Sequence, residues 1–194
     1  MHNNTMNTNK KYNIIYADPP WEYYGDPNKN AAAGKHYNLM TQQQMADLPV
    51  KQMAAKNCWL FMWATPSRLP YACEMMKQWG FHYRNVAYVW VKTKADGTRI
   101  SDRQGVRPTY TKTAWFELLL VGTSKKTGRM TPLSSEAHPS YIEALRQEHS
   151  RKPQIFRDLI VRQLGDLPRI ELFARNQTPG WDVWGNEVDK YGAN

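Results

Sequence analysis

Cysteine is almost missing from this chain: Cys58 and Cys73 are the only two. Two distant thiols cannot staple a small disulfide scaffold, and they do not supply the paired cysteines of a structural zinc site, so no metal is expected. Long apolar runs are missing too. The longest runs, such as residues 58–64 (CWLFMWA), are far short of the about 20 residues that cross a bilayer as a helix. Residues 1–11 are polar and Asn-rich, with no apolar stretch of the signal-peptide kind, and read as a loose tail. A soluble, cytoplasmic protein without membrane contact is therefore expected. Acidic residues are in deficit, 17 against 26 Lys and Arg, leaving a net charge of +9. That surplus favours a polyanionic partner such as nucleic acid, although a merely soluble basic surface gives the same count. No internal repeat and no G-x-G-x-x-G loop occurs.

What is present is an ordinary globular balance, 41% hydrophobic and 22% charged over 194 residues. It suits one compact domain, residues 12–190. The 8 Trp and 11 Tyr can fill a core or stack on flat ligands. Residues 12–17 (YNIIYA) form a short β-prone run that must stop before Pro19 and Pro20, which cannot donate to a ladder. Residues 22–37, with Gly25, Pro27 and Gly34, read as a loop. Thr41 caps a helix that Pro49 interrupts. Residues 58–64 read as a strand covered on both faces. Residues 69–79 have helical spacing with Gly80 as the residue past the end. Residues 81–93 and 113–123 read as strands. Between them, residues 94–112 are a long basic excursion. Residues 124–149 are polar and irregular, with one helical turn expected around Tyr141. Pro153 at a first helical position opens a helix over residues 154–164, and residues 169–174 (RIELFA) close the series as a strand. Strands alternating with helices predict an α/β sandwich with a mostly parallel sheet.

Asp18 thus sits at the carboxyl end of a buried strand, where ligands bind in open α/β sheets. The prolines stiffen the turn and present the Asp18 carboxylate and the Pro19 carbonyl as two acceptors, with Trp21 beside them as a π-face. Two acceptors and a stacking surface suit an aromatic amine with two N–H donors. The plainer reading is an Asp-Pro turn with Trp21 in the core.

The order of blocks goes further. IIYADPPW at residues 14–21, WGF at 79–81, VWVKT at 89–93, FELLLVG at 116–122, SRKP at 150–153, IELFAR at 170–175 and GWDVWGNE at 180–187 together resemble the MT-A70 family of N6-adenine methyltransferases. The resemblance implies a Rossmann-like fold with the permuted β-type motif order, and S-adenosyl-L-methionine as cofactor. It implies that Asp18 and Pro19 bond the target amine while Pro20 and Trp21 shape the base pocket, with Tyr37 and Glu117 as further contacts to the base. Ser150 and Lys152 in the SRKP block, with Lys152 reaching the methionine carboxylate, and Phe173, Arg175, Asn176, Asn186 and Glu187 around ribose and adenine are the implied cofactor residues. Plainer roles exist for several of these: a solvated lysine at a helix start for Lys152, a core ring for Phe173, a structural pair with Glu171 or Asp182 for Arg175. The basic stretches 92–94, 99–107 and 125–129, with Lys92, Arg99, Arg103 and Arg107 foremost, are expected to follow phosphates. The compact chain resembles bacterial and phage members, so DNA is the favoured acceptor. RNA, or an inactive nucleic-acid scaffold, is the alternative, and homodimerisation is an open expectation.

Overall fold

The computed structural model describes residues 6–21, 40–106, 111–130, 132, 136–147, 151–185 and 188, with the backbone alone for 101–106 and 111–114. Its centre is β1 (Tyr12–Ala17), in which Ile14, Ile15, Tyr16 and Ala17 are fully buried. β1 pairs in parallel with β2 (Ala54–Ala64) on one side and β8 (Arg169–Leu172) on the other. The seven-stranded sheet runs β7-β3-β6-β2-β1-β8-β9. It is completed by β3 (His82–Thr93), β6 (Phe116–Thr123), β7 (Tyr141–Leu145) and β9 (Asp182–Trp184). Only β6 is reversed, antiparallel to both β2 and β3, while the β3–β7 and β8–β9 pairs are parallel. The mostly parallel α/β sheet is as expected.

Side chains alternate across β1. Ile15 and Ala17 join Leu60 and Met62 under α3 (Leu69–Gln78), while Ile14 and Tyr16 join Phe61, Trp63 and α4 (Ile155–Leu164) on the other face. Each buried aliphatic side chain here contributes about 1.5–3 kcal/mol. Covering on both faces explains why the central strands read as near-continuous apolar runs. Thr41 caps α1 (Gln42–Ala46) through a reciprocal box with Gln44, and the chain resumes as α2 (Val50–Met53) after Pro49.

Several local expectations are corrected. Tyr141–Leu145 is an edge strand paired with β3, not a helical turn. The basic excursion holds a separate hairpin, β4 (Ser101–Val106) with β5 (Thr111–Ala114), and the chain breaks at Trp115 before β6. Pro153 precedes the α4 cap Gln154 instead of opening the helix. β9, within the GWDVWGNE block, is a strand that periodicity did not mark. Met6, in the supposed tail, is buried in the core.

Candidate active site

The chain leaves β1 towards β2 on one flank, while β8 leads to β9 on the other. The carboxyl ends of β1 and β8 therefore meet at a point where strand order reverses, the usual crevice of open α/β sheets. Because β6 is reversed, its start reaches this same edge, as does the end of β3. Asp18, Glu117 and Lys92 are thereby gathered from three strands, and Lys152 joins them from the approach to α4.

These four side chains alternate in charge. Lys152 Nζ lies 2.7 Å from Asp18 Oδ2 and 3.1 Å from Glu117 Oε2, and Lys92 Nζ lies 2.5 Å from Glu117 Oε1. The Lys152 side chain is 5% exposed and Asp18 17%, so the network is nearly closed but opens at Asp18. Burial alone would depress the Lys152 ammonium, yet the Asp18 and Glu117 carboxylates outweigh it and raise it above the ordinary lysine range. Burial would likewise raise Glu117, but Lys152 and Lys92 hold it below its ordinary value. Lys152 and Glu117 are thus both held charged. Asp18 Oδ1 accepts no bond among the described residues.

The floor of the site is aromatic and rigid. Lys152 Nζ sits 5.4 Å over the Trp63 ring, and Trp63 Nε1 donates to Tyr16 Oη at 2.6 Å. Beneath, Arg157 donates twice to Glu171, at 2.8 and 2.5 Å, and its Nη1 donates to the Lys152 carbonyl at 3.3 Å. Arg157 was not singled out from sequence, and Glu171 only as a structural partner considered for Arg175, although a signal existed. Arg157 falls three and seven residues before Ile160 and Leu164 on the buried stripe of α4, where an unpaired charge is untenable.

The other expected residues divide. The Pro19 carbonyl accepts from the Trp21 N–H at 2.9 Å, which leaves one lone pair for another donor. Trp21 is half-buried, with Nε1 directed at the Trp63 carbonyl at 3.4 Å. Phe173 takes a left-handed φ of 60° at the end of β8, a strained conformation for a bulky residue. It is stacked on Trp79 at 6.4 Å and meets Trp184 edge-on at 5.5 Å. A side chain on Gly185 would meet the Ala174 carbonyl at 2.3 Å, so the ends of β8 and β9 close together only because residue 185 is glycine. Glu171 and Asp182, the structural partners considered for Arg175, are instead engaged by Arg157 and by Lys10 with Tyr12. Asn176 Nδ2 donates to the Gln177 carbonyl at 3.1 Å. Tyr37, Ser150, Asn186, Glu187 and Arg107 lie outside the described residues, as does the Arg103 side chain.

Among the described residues, the basic stretches are not brought into one track. Lys92 is drawn inward by Glu117, and Arg99 binds Glu143 at 2.6 Å near the hairpin. Lys125 to Arg129 follow β6 and so lie at the opposite edge of the sheet. Among the described residues there is no His, Cys, Asp or Glu group able to hold a metal ion, and no helix is long and apolar enough to cross a membrane.

An acid at the end of the first strand, a buried lysine beside it and a left-handed aromatic at the neighbouring strand end occupy the blocks singled out from sequence. The chain is 32% identical to the Type II methyltransferase M.MunI of Mycoplasma sp, over 92% of this chain and 78% of that protein. It is 30% identical to the N(6)-adenine-specific methyltransferase METTL4 of Mus musculus over 96% of this chain, and 29% identical to the N6-methyladenosine RNA methyltransferase MTA1 of Pyricularia oryzae over 91%. It spans only 39% and 47% of those two longer proteins. The MT-A70 family matches residues 12–187, and the chain belongs to that family of N6-adenine methyltransferases.

Proposed function

We propose that the protein transfers a methyl group from S-adenosyl-L-methionine to the N6 amine of adenine in nucleic acid, with DNA as the favoured acceptor. The observation that supports this most is the partly exposed Asp18 carboxylate paired with a buried lysine at the crevice between β1 and β8. The residues present fit the cofactor. Lys152, a buried ammonium at the carboxyl edge of the sheet, suits a carboxylate. The close approach of Gly185 to Ala174, with Phe173 turned out of the β8 path, shapes the neighbouring strand ends. Lys152, Phe173, Arg175 and Asn176 would hold it, with Ser150, Asn186 and Glu187 completing the set. When bound, it supplies an electrophilic methyl group on a sulfonium.

Everything else is asked of the protein's own groups. An adenine amine is a weak nucleophile because its lone pair is delocalised into the ring. Asp18 Oδ1 and the second lone pair of the Pro19 carbonyl accept its two N–H bonds, which favours a pyramidal nitrogen with its lone pair directed at the methyl carbon. Asp18 would accept the proton that the methylated nitrogen sheds, once transfer of the methyl group has released the cofactor's sulfur as a neutral thioether. Trp21 walls the base, Glu117 contacts it while keeping Lys152 in place, and the family resemblance assigns Tyr37 as a further contact. A base in a duplex must first leave the stack, at a cost of a few kcal/mol.

DNA is favoured because a relative matched over 78% of its own length is a Type II methyltransferase. The similarity to a protein named for RNA methylation supports RNA as the second reading. Incubating the protein and cofactor with DNA and with RNA, followed by mass spectrometry of the nucleosides, tests both. N6-methyladenine in DNA is the expected product. Methylated cytosine alone, or no product in either pool, would refute the proposal.

A further inference from the structure

The amino edge of the sheet, where β1 and β2 begin and β6 ends, has its own chemistry. The loop after β6 has Lys125, Lys126 and Arg129, with no acidic residue between Ser124 and Met130. It is pinned to the sheet. Ser124 Oγ accepts from the Cys58 N–H at 2.9 Å and donates to the Lys56 carbonyl at 3.0 Å. Arg84 Nε donates to Thr123 Oγ1 at 2.8 Å, and its Nη2 donates to the carbonyls of Lys125 and Lys126. These acceptors are neutral, so the guanidinium charge is not cancelled. Among the described residues no carboxylate pairs with Lys56, Lys125, Lys126 or Arg129.

Beside this loop opens a cavity of about 250 Å³, lined by Asn13, Asn57, Trp59, Lys125, Arg129 and Leu167 among others. Trp59 is half-buried, and two cations and two amides surround the space it walls. An aromatic wall beside exposed, unpaired cations is the recurring chemistry of single-stranded nucleic-acid binding, in which a base stacks and phosphates meet Lys and Arg. The cavity is not part of the base pocket. Its β1 lining residue, Asn13, is five residues from Asp18, which at about 3.3 Å each places the cavity roughly 16 Å away.

We propose that this amino-edge cavity is a second nucleic-acid site, which takes the backbone of a single strand with one base or sugar against Trp59. It rests on the reading that the acceptor is nucleic acid, and gives the protein a sequence-independent hold remote from the reacting adenine. A strand is flexible enough to reach both edges, or two strands occupy one edge each.

The test uses the full chain and an oligo-thymidylate, which contains no adenine. Fluorescence anisotropy across a salt series gives affinity and salt slope. Wild type and Asp18→Ala should bind alike. Lys125→Ala, Lys126→Ala and Arg129→Ala combined should weaken binding at least tenfold and flatten the slope by about 2, since each single-strand phosphate contact contributes about 0.7. Trp59→Ala should weaken binding several-fold with the slope unchanged. Wild-type affinity and slope in the triple variant would overturn the proposal. If no nucleic acid is methylated yet thymidylate binding still depends on this loop, the second site stands and the acceptor assignment falls.

Discussion

The two edges of the sheet both hold lysines, and they hold them in opposite ways. At the carboxyl edge Lys92 and Lys152 are drawn inward and neutralised by Glu117 and Asp18. At the amino edge Lys125, Lys126 and Arg129 are exposed, and no carboxylate answers them among the described residues. A count of charges along the chain cannot tell these apart, because pairing is decided by which strand ends meet. Buried, paired charge organises a reaction centre. Exposed, unpaired charge attracts a polyanion and tolerates a variable partner.

The sharpest contrast is in transfer. Asp18→Ala should lower methyl incorporation by about a thousandfold, within the range of lost acid–base and hydrogen-bonding groups, while calorimetry still shows cofactor binding. A variant that methylates at the wild-type rate would falsify the role of Asp18. Next comes stability. Lys152→Met leaves the Asp18 and Glu117 carboxylates without their shared ammonium, and breaking such a buried pair costs about 3–5 kcal/mol. Urea denaturation should show that loss, and adding Glu117→Gln should recover part of it. An unshifted midpoint would mean that the network is not closed as described.

A smaller effect is expected with pH. Glu117 is held below its ordinary value of 4.5. Its contribution is therefore present above that pH and lost as pH falls through the lower folded value. Lys152, raised above 10.5, contributes fully below that pH and loses its share only as pH climbs through the raised value. Stability should thus be level through neutrality and fall on the acid side, and Glu117→Gln should shallow that fall. If the acid limb is identical in the variant, Glu117 is not held charged by its lysines. The smallest effect belongs to the other edge. Lys126→Ala should leave the denaturation midpoint where it was, because nothing in the fold relies on its charge; a clear drop would blur the contrast between the edges.

Much of the fold was legible because it obeys local rules. Residues 12–17 form the strand at the bounds expected, since apolar residues precede a Pro-Pro stop. Thr41 caps α1, and Gly80, at a φ of 82°, follows α3. β7 was not legible. Its YIEAL sequence mixes strand and helix formers, and only pairing with β3 makes it a strand. β9, three residues long, depends in the same way on β8. In the site, Asp18 stood out by its place before two prolines and Lys152 by its block. Their contact spans 134 positions, a separation over which no periodicity carries information.

By itself the sequence determined which segments are buried, where strands must stop, and the residue types available for chemistry, since propensity, proline geometry and apolar patterning act over a few residues. Only the tertiary structure decided the reversal of β6. That reversal brings Glu117 to Asp18 and sends Lys125 to the far edge. The physical reason is that charges acquire their roles from distance and burial, and both are properties of the packed sheet.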